Sequence, residues 1–455
     1  MRKHNRSMLE GPLISGMMLY TIPIMLTGIL QLLFNATDMM IVGQFRGSES
    51  VAAVGATTAL TNLIVNLFMG MSIGTGVTVA HGIGGRQHMA IHKTVHTTLP
   101  LALVSGVILT ILGVTFSGSF LEMMGTTEDI LPLATVYMQI YFGGITFTMV
   151  YNFCAAILRS AGDTKSPLIF LFIAGGSNVA LNVIFITVFG MGVDGVALAT
   201  VISQAISATL VVIALMRRND SCKLELKKIR FYGSQLKKII SIGLPAGIQG
   251  SLFSFSNVLI ASSVNSIGSM AMAGHSAAGN LDGFVYTIQN AFMQTTVNYV
   301  GQNAGAHNFN RIKKIVLSCS VMVTICGLIS GFAMWIFGEP LLSIYLPDAS
   351  DVKAIEYGMD RLFMVGVPYF LCGLMEISTG ALRGIGSSTM PMALSLAGVC
   401  GLRIIWVMTA FKAFPTLDCL YFSYPVSWTI TAVAQFVCFV FIFRKKRRQY
   451  QQLHV

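Results

Sequence analysis

Thr27, Gln31, Asn35 and Asp38 follow one another at spacings of four, four and three residues. That pattern puts all four on one face of a helix. Asp38 is the only formal charge between Glu10 and Arg46. A carboxylate carried into hydrocarbon is costly, and acids kept in such places commonly mark ion or substrate pathways. Desolvation favours the neutral form of an acid, so the group is suited to taking up and releasing a proton near neutral pH. The competing reading is an aspartate that only hydrogen-bonds neighbouring helices together.

The chain around this stripe can hardly be anything but membrane-embedded. Of its 455 residues, 54% are hydrophobic and 10% charged, where a soluble domain carries about 25% charged residues. Runs such as Thr97–Met123, Ile315–Gly338 and Val426–Phe443 hold at most one charge, Glu122. About 20 apolar residues cross a bilayer, and unsatisfied backbone groups force such runs to be helical. Breaks between runs give twelve segments, roughly 14–43, 52–80, 93–120, 130–158, 166–190, 194–217, 239–265, 271–300, 312–338, 355–381, 389–411 and 420–443. The stretch Pro12–Val42 is too long for a signal-peptide core and reads as a retained first helix. The eight cysteines form no CxxC pair and read as small core residues.

Charge sets the orientation. The amino terminus, alternate loops, the stretch Arg217–Lys238 and the run Arg444–Arg448 all fall on one side, and together carry 24 of the 29 basic residues. That side is cytoplasmic by the positive-inside rule, with both termini inside. The net charge of +11 is then a matter of topology. A nucleic-acid partner would need a basic face on a soluble fold, and none is visible.

The chain also repeats itself. Leu158-Arg-Ser-Ala-Gly-Asp-Thr-Lys-Ser-Pro167 echoes Leu382-Arg-Gly-Ile-Gly-Ser-Ser-Thr-Met-Pro391 at a spacing of 224 residues. Val77–Arg86 echoes Val297–Ala306 at 220, and Pro23 matches Pro245 at 222. The expected fold is all-α, with twelve transmembrane helices in two pseudo-symmetric six-helix lobes. The division is 1–216 for the amino-terminal lobe, 217–238 for a cytoplasmic basic linker and 239–455 for the carboxy-terminal lobe. Six crossings return the chain to its starting side, so the repeats are parallel. Such pairs commonly build transporters with a cavity at the repeat interface. A duplicated scaffold without transport is the alternative.

Depth counting enlarges the site around Asp38. Asp38 lies five residues from the external break at Gly43, Asn182 eight before the external Gly190, and Thr200 six into the sixth helix. At about 1.5 Å per residue these come out level, with Asn178 one turn deeper on the face of Asn182. One carboxylate with amide and hydroxyl oxygens suits Na⁺ or a proton-linked hydrogen-bond network.

The whole chain resembles the multidrug and toxic compound extrusion (MATE) family. The resemblance rests on Pro23 followed by Asp38, on Leu158–Pro167, on Gly195-Val-Ala-Leu-Ala-Thr-Val-Ile-Ser-Gln204 and on Val300-Gly-Gln-Asn-Ala-Gly305. It implies two six-helix lobes in a V, and antiport of organic cations or other amphipathic compounds against H⁺ or Na⁺. It also suggests that Pro23 is a hinge that changes the surroundings of Asp38, where a static kink is the alternative. Many relatives have a second aspartate where this chain has Asn182, which moves the expectation toward H⁺. The usual seventh-helix acid falls near Phe253–Ser254 and is absent; the tenth-helix aspartate falls at Cys372, with Glu376 one turn on.

The expected cation-coupling set is therefore Asp38, Asn178, Asn182 and Thr200. The expected substrate cavity is lined by Gln31, Asn35, Asp282, Gln289 and Glu376, with Asp282 and Gln289 on an unusually polar helix that also holds Asn280, Asn290, Gln294, Thr295 and Asn298. Interhelix hydrogen bonding is the other reading of that stripe. Arg403 stands at the repeat position of Asn182 and is expected to neutralise Glu376 or Asp282, with a Glu376–Arg403 pair preferred. Asp360 and Arg361 read as interfacial.

His88, His92 and His96 could form a metal stripe, but no acid or cysteine completes a ligand set, so a solvated face is preferred. Gly82–Gly85 lacks the strand and the GK[ST] ending of a phosphate loop. No nucleophile–base pair points to an enzyme. A lipid-linked oligosaccharide flippase would want several basic residues in its cavity, and only Arg403 is a clear mid-membrane cation. The expectation is a multi-pass protein of the inner or plasma membrane that exports small amphipathic or cationic molecules. It has no cofactor beyond the coupling ion, and its partners are substrates and lipid, with no obligatory protein partner.

Overall fold

A computed structural model describes residues 8–346 and 352–452. Their regular structure is helical throughout, and twelve segments have membrane-spanning length. In chain order these are α1 Leu13–Arg46, α2 Ser48–Gly84, α3 His88–Met123, α4 (Leu131–Gly143 and Ile145–Ser160), α5 Lys165–Thr187, α6 Val193–Met216, α7 Gly233–Asn265, α8 Ser269–Gly305, α9 Phe309–Ile336, α10 Val352–Gly384, α11 Thr389–Ala413 and α12 Leu417–Gln452. Eleven are apolar enough to cross a bilayer when the two halves of α4, bent by 46°, are taken as one span. The twelfth, α8, has the length but carries the polar stripe noted above. At the α4 bend the Thr110 hydroxyl donates to the Phe142 carbonyl at 2.8 Å, satisfying an acceptor near the break. Val104, Val107, Ile108 and Ile111 are exposed along α3, as expected of a helix that faces lipid.

The sequence repeat is visible in the backbone. Arg86 and His307 take left-handed conformations at φ 53° and 55°, each at the turn after its long second helix. Gly162 and Gly386 do the same at φ 91° and 84°, inside the two copies of the Leu158–Pro167 motif. In the first copy Asp163, just ahead of the first residue of α5, accepts from the Ser166 N–H at 3.0 Å and the Ser166 hydroxyl at 2.6 Å. That motif makes a turn rather than a site.

The described residues pack into two compact units, one within Leu26–Ser251 and one within Arg6–Met25 and Leu252–Val455. These boundaries fall inside α1 and α7, whereas the sequence-based division into 1–216, 217–238 and 239–455 follows the order of the helices along the chain. Side-chain chemistry explains the placement. In the second unit, the Thr21 and Thr295 hydroxyls lie 2.7 Å apart, and Tyr20 packs edge-on against Tyr299. In the first unit, Gly243 and Gly247 of α7 cross Gly70 and Gly74 of α2 with backbones touching. A Cβ at Gly247 would lie 1.9 Å from the Leu67 carbonyl oxygen, and one at Gly74 would lie 2.2 Å from that of Ile239. Small residues four apart on both helices allow this approach.

That crossing carries a prediction. Gly247→Leu is expected to force α2 and α7 apart and to cost about 1–3 kcal/mol or more. Gly176→Leu, whose added Cβ would meet nothing within 4 Å, is the control. Thermal unfolding of the purified protein checks this: equal midpoints for the two variants would show that the crossing tolerates a side chain.

Candidate functional site

Asp38 is 9% exposed and sits in the first unit among α1, α5 and α6. Its register is fixed from the end of α1. The Arg46 side chain donates to the Met191 carbonyl at 2.9 Å and reaches that of Ile186 at 3.5 Å, tying α1 to the end of α5. Deeper in, the Phe34 ring lies against Gly175, where a Cβ would come within 1.8 Å of a ring carbon. Between these two ties, Asp38 stands opposite Asn182.

The four residues expected to bind the coupling cation meet here. Asn182 Nδ2 donates to Asp38 Oδ1 at 2.5 Å and lies 3.2 Å from Asn178 Oδ1. Asn178 Nδ2 lies 3.4 Å from the Thr200 hydroxyl, which itself donates to the Val196 carbonyl at 3.0 Å. Thr200 is also in hydrogen-bonding reach of the Asp38 carboxylate. Asn182 is wholly buried, yet its Oδ1 has no hydrogen-bond partner among the described residues. Buried acceptors are rarely left unmet, and those that are deserve a reason.

A cap closes the site on one side. Val42, Ile186 and Val196 form a small buried cluster with Tyr137 packed against it. Each lies one turn from a site residue: Val42 from Asp38, Ile186 from Asn182, Val196 from Thr200. All three offsets point toward the external ends inferred from the charge pattern. Asn35 and Gln31, one and two turns the other way along α1, are exposed. The acid therefore has an apolar lid on one side and a polar approach on the other. Tyr137 is close enough to interact electrostatically with Asp38. Sequence reasoning missed it because α4 reads as an ordinary apolar span, although Tyr137 and Tyr141 share one face.

The second unit departs from expectation. Asp282, Gln289 and Glu376 are buried at 4%, 0% and 3% exposure, so in this state they are enclosed side chains and do not line an open cavity. Gln289 fills space left by Gly327 and Gly373, and neither of its amide atoms finds a hydrogen-bond partner among the described residues. Asp282 does not pair with Arg403. Its partner is Arg361, at 3.0 Å between Nη2 and Oδ2, and Arg361 also donates to the His275 carbonyl. The interfacial reading of Arg361 is thus overturned: it is 8% exposed and faces the acid across the helix pair α8–α10. The preferred Glu376–Arg403 pair is not formed either; the charged neighbour of Glu376 is Arg383. His275 and Asp282, seven residues apart on one helical face, were the available signal for this cluster.

The histidine stripe is solvated only at its start: His88 is exposed and His92 half-buried, while His96 is enclosed. His96 is fully buried, with Nδ1 2.7 Å from the His92 carbonyl oxygen and Nε2 accepting from the Glu225 N–H at 3.0 Å. Thr97 accepts from the Tyr232 N–H at 3.1 Å, and His88 contacts Ser221. These side chains pin the basic stretch after α6 to the start of α3.

Many membrane-length helices, an internal repeat and a buried acid with amide partners on packed helices define a multi-pass membrane transporter. Comparison with known proteins gives its family. The MatE family model matches residues 23–184 and 245–409, one match in each half of the repeat. The probable multidrug resistance protein YoeA of Bacillus subtilis is 26% identical over 443 residues, covering 95% of this chain and 94% of its own. The probable multidrug resistance protein NorM of Thermotoga maritima is 25% identical, covering 86% of this chain and 84% of its own. A crystal structure of MATE in complex with MaL6 superposes with a TM-score of 0.90 at 21% identity, covering 97% of this chain and 98% of that one. A MOP superfamily transporter from Pyrococcus furiosus also gives 0.90 at 21% identity, covering 98% and 100%. The chain belongs to the MatE family, whose members are transporters and not enzymes.

Proposed function

We propose that this protein is a cation-coupled antiporter of the cell membrane, with both termini cytoplasmic, that exports small amphipathic or cationic organic compounds by alternating access. The names of its relatives as multidrug resistance proteins support the export reading. The observation that carries the coupling is the buried Asp38 carboxylate beside the unmet Asn182 oxygen. A bound cation removes the cost of the enclosed charge, so its arrival and departure favour different surroundings for Asp38. Pro23, which offers α1 no N–H, is the proposed hinge. Gln31 and Asn35 are the polar side chains that meet the exported compound on the approach to the acid. The remaining expected cavity residues, Asp282, Gln289 and Glu376, do so only in a state that uncovers them.

Proton coupling fits the oxygen inventory better than sodium. The Asn178 oxygen already faces Asn182 Nδ2, and the Thr200 oxygen already faces Asn178 Nδ2. A proton needs only the carboxylate, whereas Na⁺ would need several oxygens freed at once. Proteoliposomes with an imposed pH or Na⁺ gradient, loaded with a fluorescent lipophilic cation, test this. The pH gradient is expected to drive efflux about tenfold faster than the Na⁺ gradient, about 1.4 kcal/mol of preference. Asn182→Asp adds a second carboxylate beside the first and is expected to raise the Na⁺-driven rate several-fold. Efflux that survives collapse of both gradients would remove the antiport mechanism.

A further inference from the structure

The second unit buries three arginines, Arg361, Arg383 and Arg403, at 8%, 4% and 2% exposure. Two have acids for company: Arg361 is paired with Asp282, and Arg383 neighbours Glu376. Arg403 has none. Its Nε donates to the Ser427 hydroxyl at 3.1 Å. Its guanidinium carbon lies 4.0 Å from the centre of the Tyr424 ring and 5.9 Å from that of Trp428. Its other electrostatic neighbours are Cys372, Cys400 and Tyr369, and no carboxylate among the described residues lies in ion-pair reach. The aromatic faces and one hydroxyl offset part of the cost of burying this charge but bring no counter-charge. No hydrogen bond from either Nη group is found among the described residues.

Two further features single out the position. α11 opens into a π-helical turn over Leu396–Gly401, immediately before Leu402 and Arg403. Such turns are uncommon and concentrate at functional sites. The repeat inverts the sign of the site as well. Spacings of 220–224 residues carry Asp38 to Val258–Ser262, a stretch without an acid, while Arg403 stands 221 residues beyond Asn182. Where the first unit offers an acid to a cation, the second offers a planar cation with two unspent donor groups. A guanidinium of this kind matches a carboxylate through paired N–H groups.

We propose that Arg403, stacked on Tyr424 and close to Trp428, is a subsite for a singly charged anion, chiefly a carboxylate, in a state that uncovers its guanidinium, which is enclosed here. It accepts either the anionic end of a zwitterionic amphipathic compound or a free anion that enters with a cationic one. The cargo source rests on the export reading above, whereas anion binding itself does not require coupling.

The test is equilibrium binding to the full-length purified protein, with no gradient present. Trp335→Phe and Trp406→Phe leave Trp428 as the single tryptophan reporter beside the guanidinium. The probes are a lipophilic zwitterion with one amine and one carboxylate, its methyl ester, sodium acetate and sodium chloride. The zwitterion is expected to bind about tenfold tighter than the ester, and Arg403→Gln to bring the two within about twofold. Arg403→Lys keeps the charge without the fork and is expected to retain about a third of the discrimination. Saturable quenching by acetate or chloride that Arg403→Gln removes identifies a free anion as the occupant. Discrimination confined to the zwitterion identifies the cargo. Equal binding of zwitterion and ester with no saturable response to acetate or chloride overturns the proposal. So does discrimination that Arg403→Gln leaves intact. Should the glutamine variant fail to fold, the parent protein and the lysine variant decide between these outcomes. A proton-coupling failure in liposomes would leave this binding result readable, so the two proposals fail separately.

Discussion

Asp38→Asn is expected to abolish gradient-driven efflux while the protein still folds and reaches the membrane. The substitution is isosteric, and its amide oxygen can accept from Asn182 Nδ2 as the carboxylate does at 2.5 Å. The helix contacts set by Arg46 and Phe34 are untouched. What is lost is the ability to alternate between charged and neutral. A ligand shifts a conformational equilibrium only by its difference in affinity between the two states. With no group left to take up the coupling cation at this site, that difference vanishes and the gradient has nothing to act on. Efflux under an imposed pH gradient should fall about 100-fold or more, to the leak seen without a gradient, a change of about 2.7 kcal/mol in effective coupling. Equilibrium binding of the exported compound should change little. Full gradient-driven efflux by this variant would take Asp38 out of the mechanism.

The two units were unequally legible in the sequence, for a physical reason. In the first, Asp38, Asn178, Asn182 and Thr200 lie on uninterrupted helices, so face and depth could be counted residue by residue. Regular helical periodicity turned into proximity, and the hydrogen bonds among the four followed. The apolar cap of Val42, Ile186 and Val196 was present in the same arithmetic but invisible as chemistry, because valine and isoleucine are unremarked in a membrane span. In the second unit the counting fails. α10 passes from α-helix through a π-helical turn at Leu362–Gly366 and a tight turn at Val367–Tyr369 before resuming at Phe370. α11 is interrupted in the same manner at Leu396–Gly401. Each such turn rotates everything beyond it about the helix axis, so faces read from 3.6-residue periodicity no longer hold across it. Glu376 and Arg403 both lie beyond such turns and do not pair, whereas Arg361, which holds Asp282, precedes the turn in α10. Arg361 itself closes the 10-residue α-helical stretch that opens α10 at Val352, and its side chain is enclosed there.

The buried pair in the second unit supplies the complementary test, because it separates acids that move charge from acids that only hold structure. Asp282 and Arg361 are both enclosed, and Arg361 is held again by the His275 carbonyl, while His275 stacks on Tyr421 at 5.8 Å between ring centres. Removing either partner strands the other as an uncompensated charge. Asp282→Asn and Arg361→Met are each expected to cost about 3–5 kcal/mol, because the remaining ion keeps its desolvation penalty and loses its attraction. The double variant removes both charges and should recover most of that loss, since neutral replacement of a buried pair is often close to neutral in stability. Denaturation of the purified protein in detergent would show it: the two single effects should sum to far more than the double effect. Additive losses would mean that the pair contributes no mutual stabilisation. Transport then adds a discrimination that stability cannot. If the charge on Asp282 is fixed by Arg361 throughout the cycle, the double variant should retain gradient-driven efflux within about twofold, a change under about 0.5 kcal/mol. Asp38→Asn, with its fold intact, should not. A double variant that is stable yet inactive would mean that α8 and α10 open during the cycle and that the exported compound needs the Asp282 charge where it meets it.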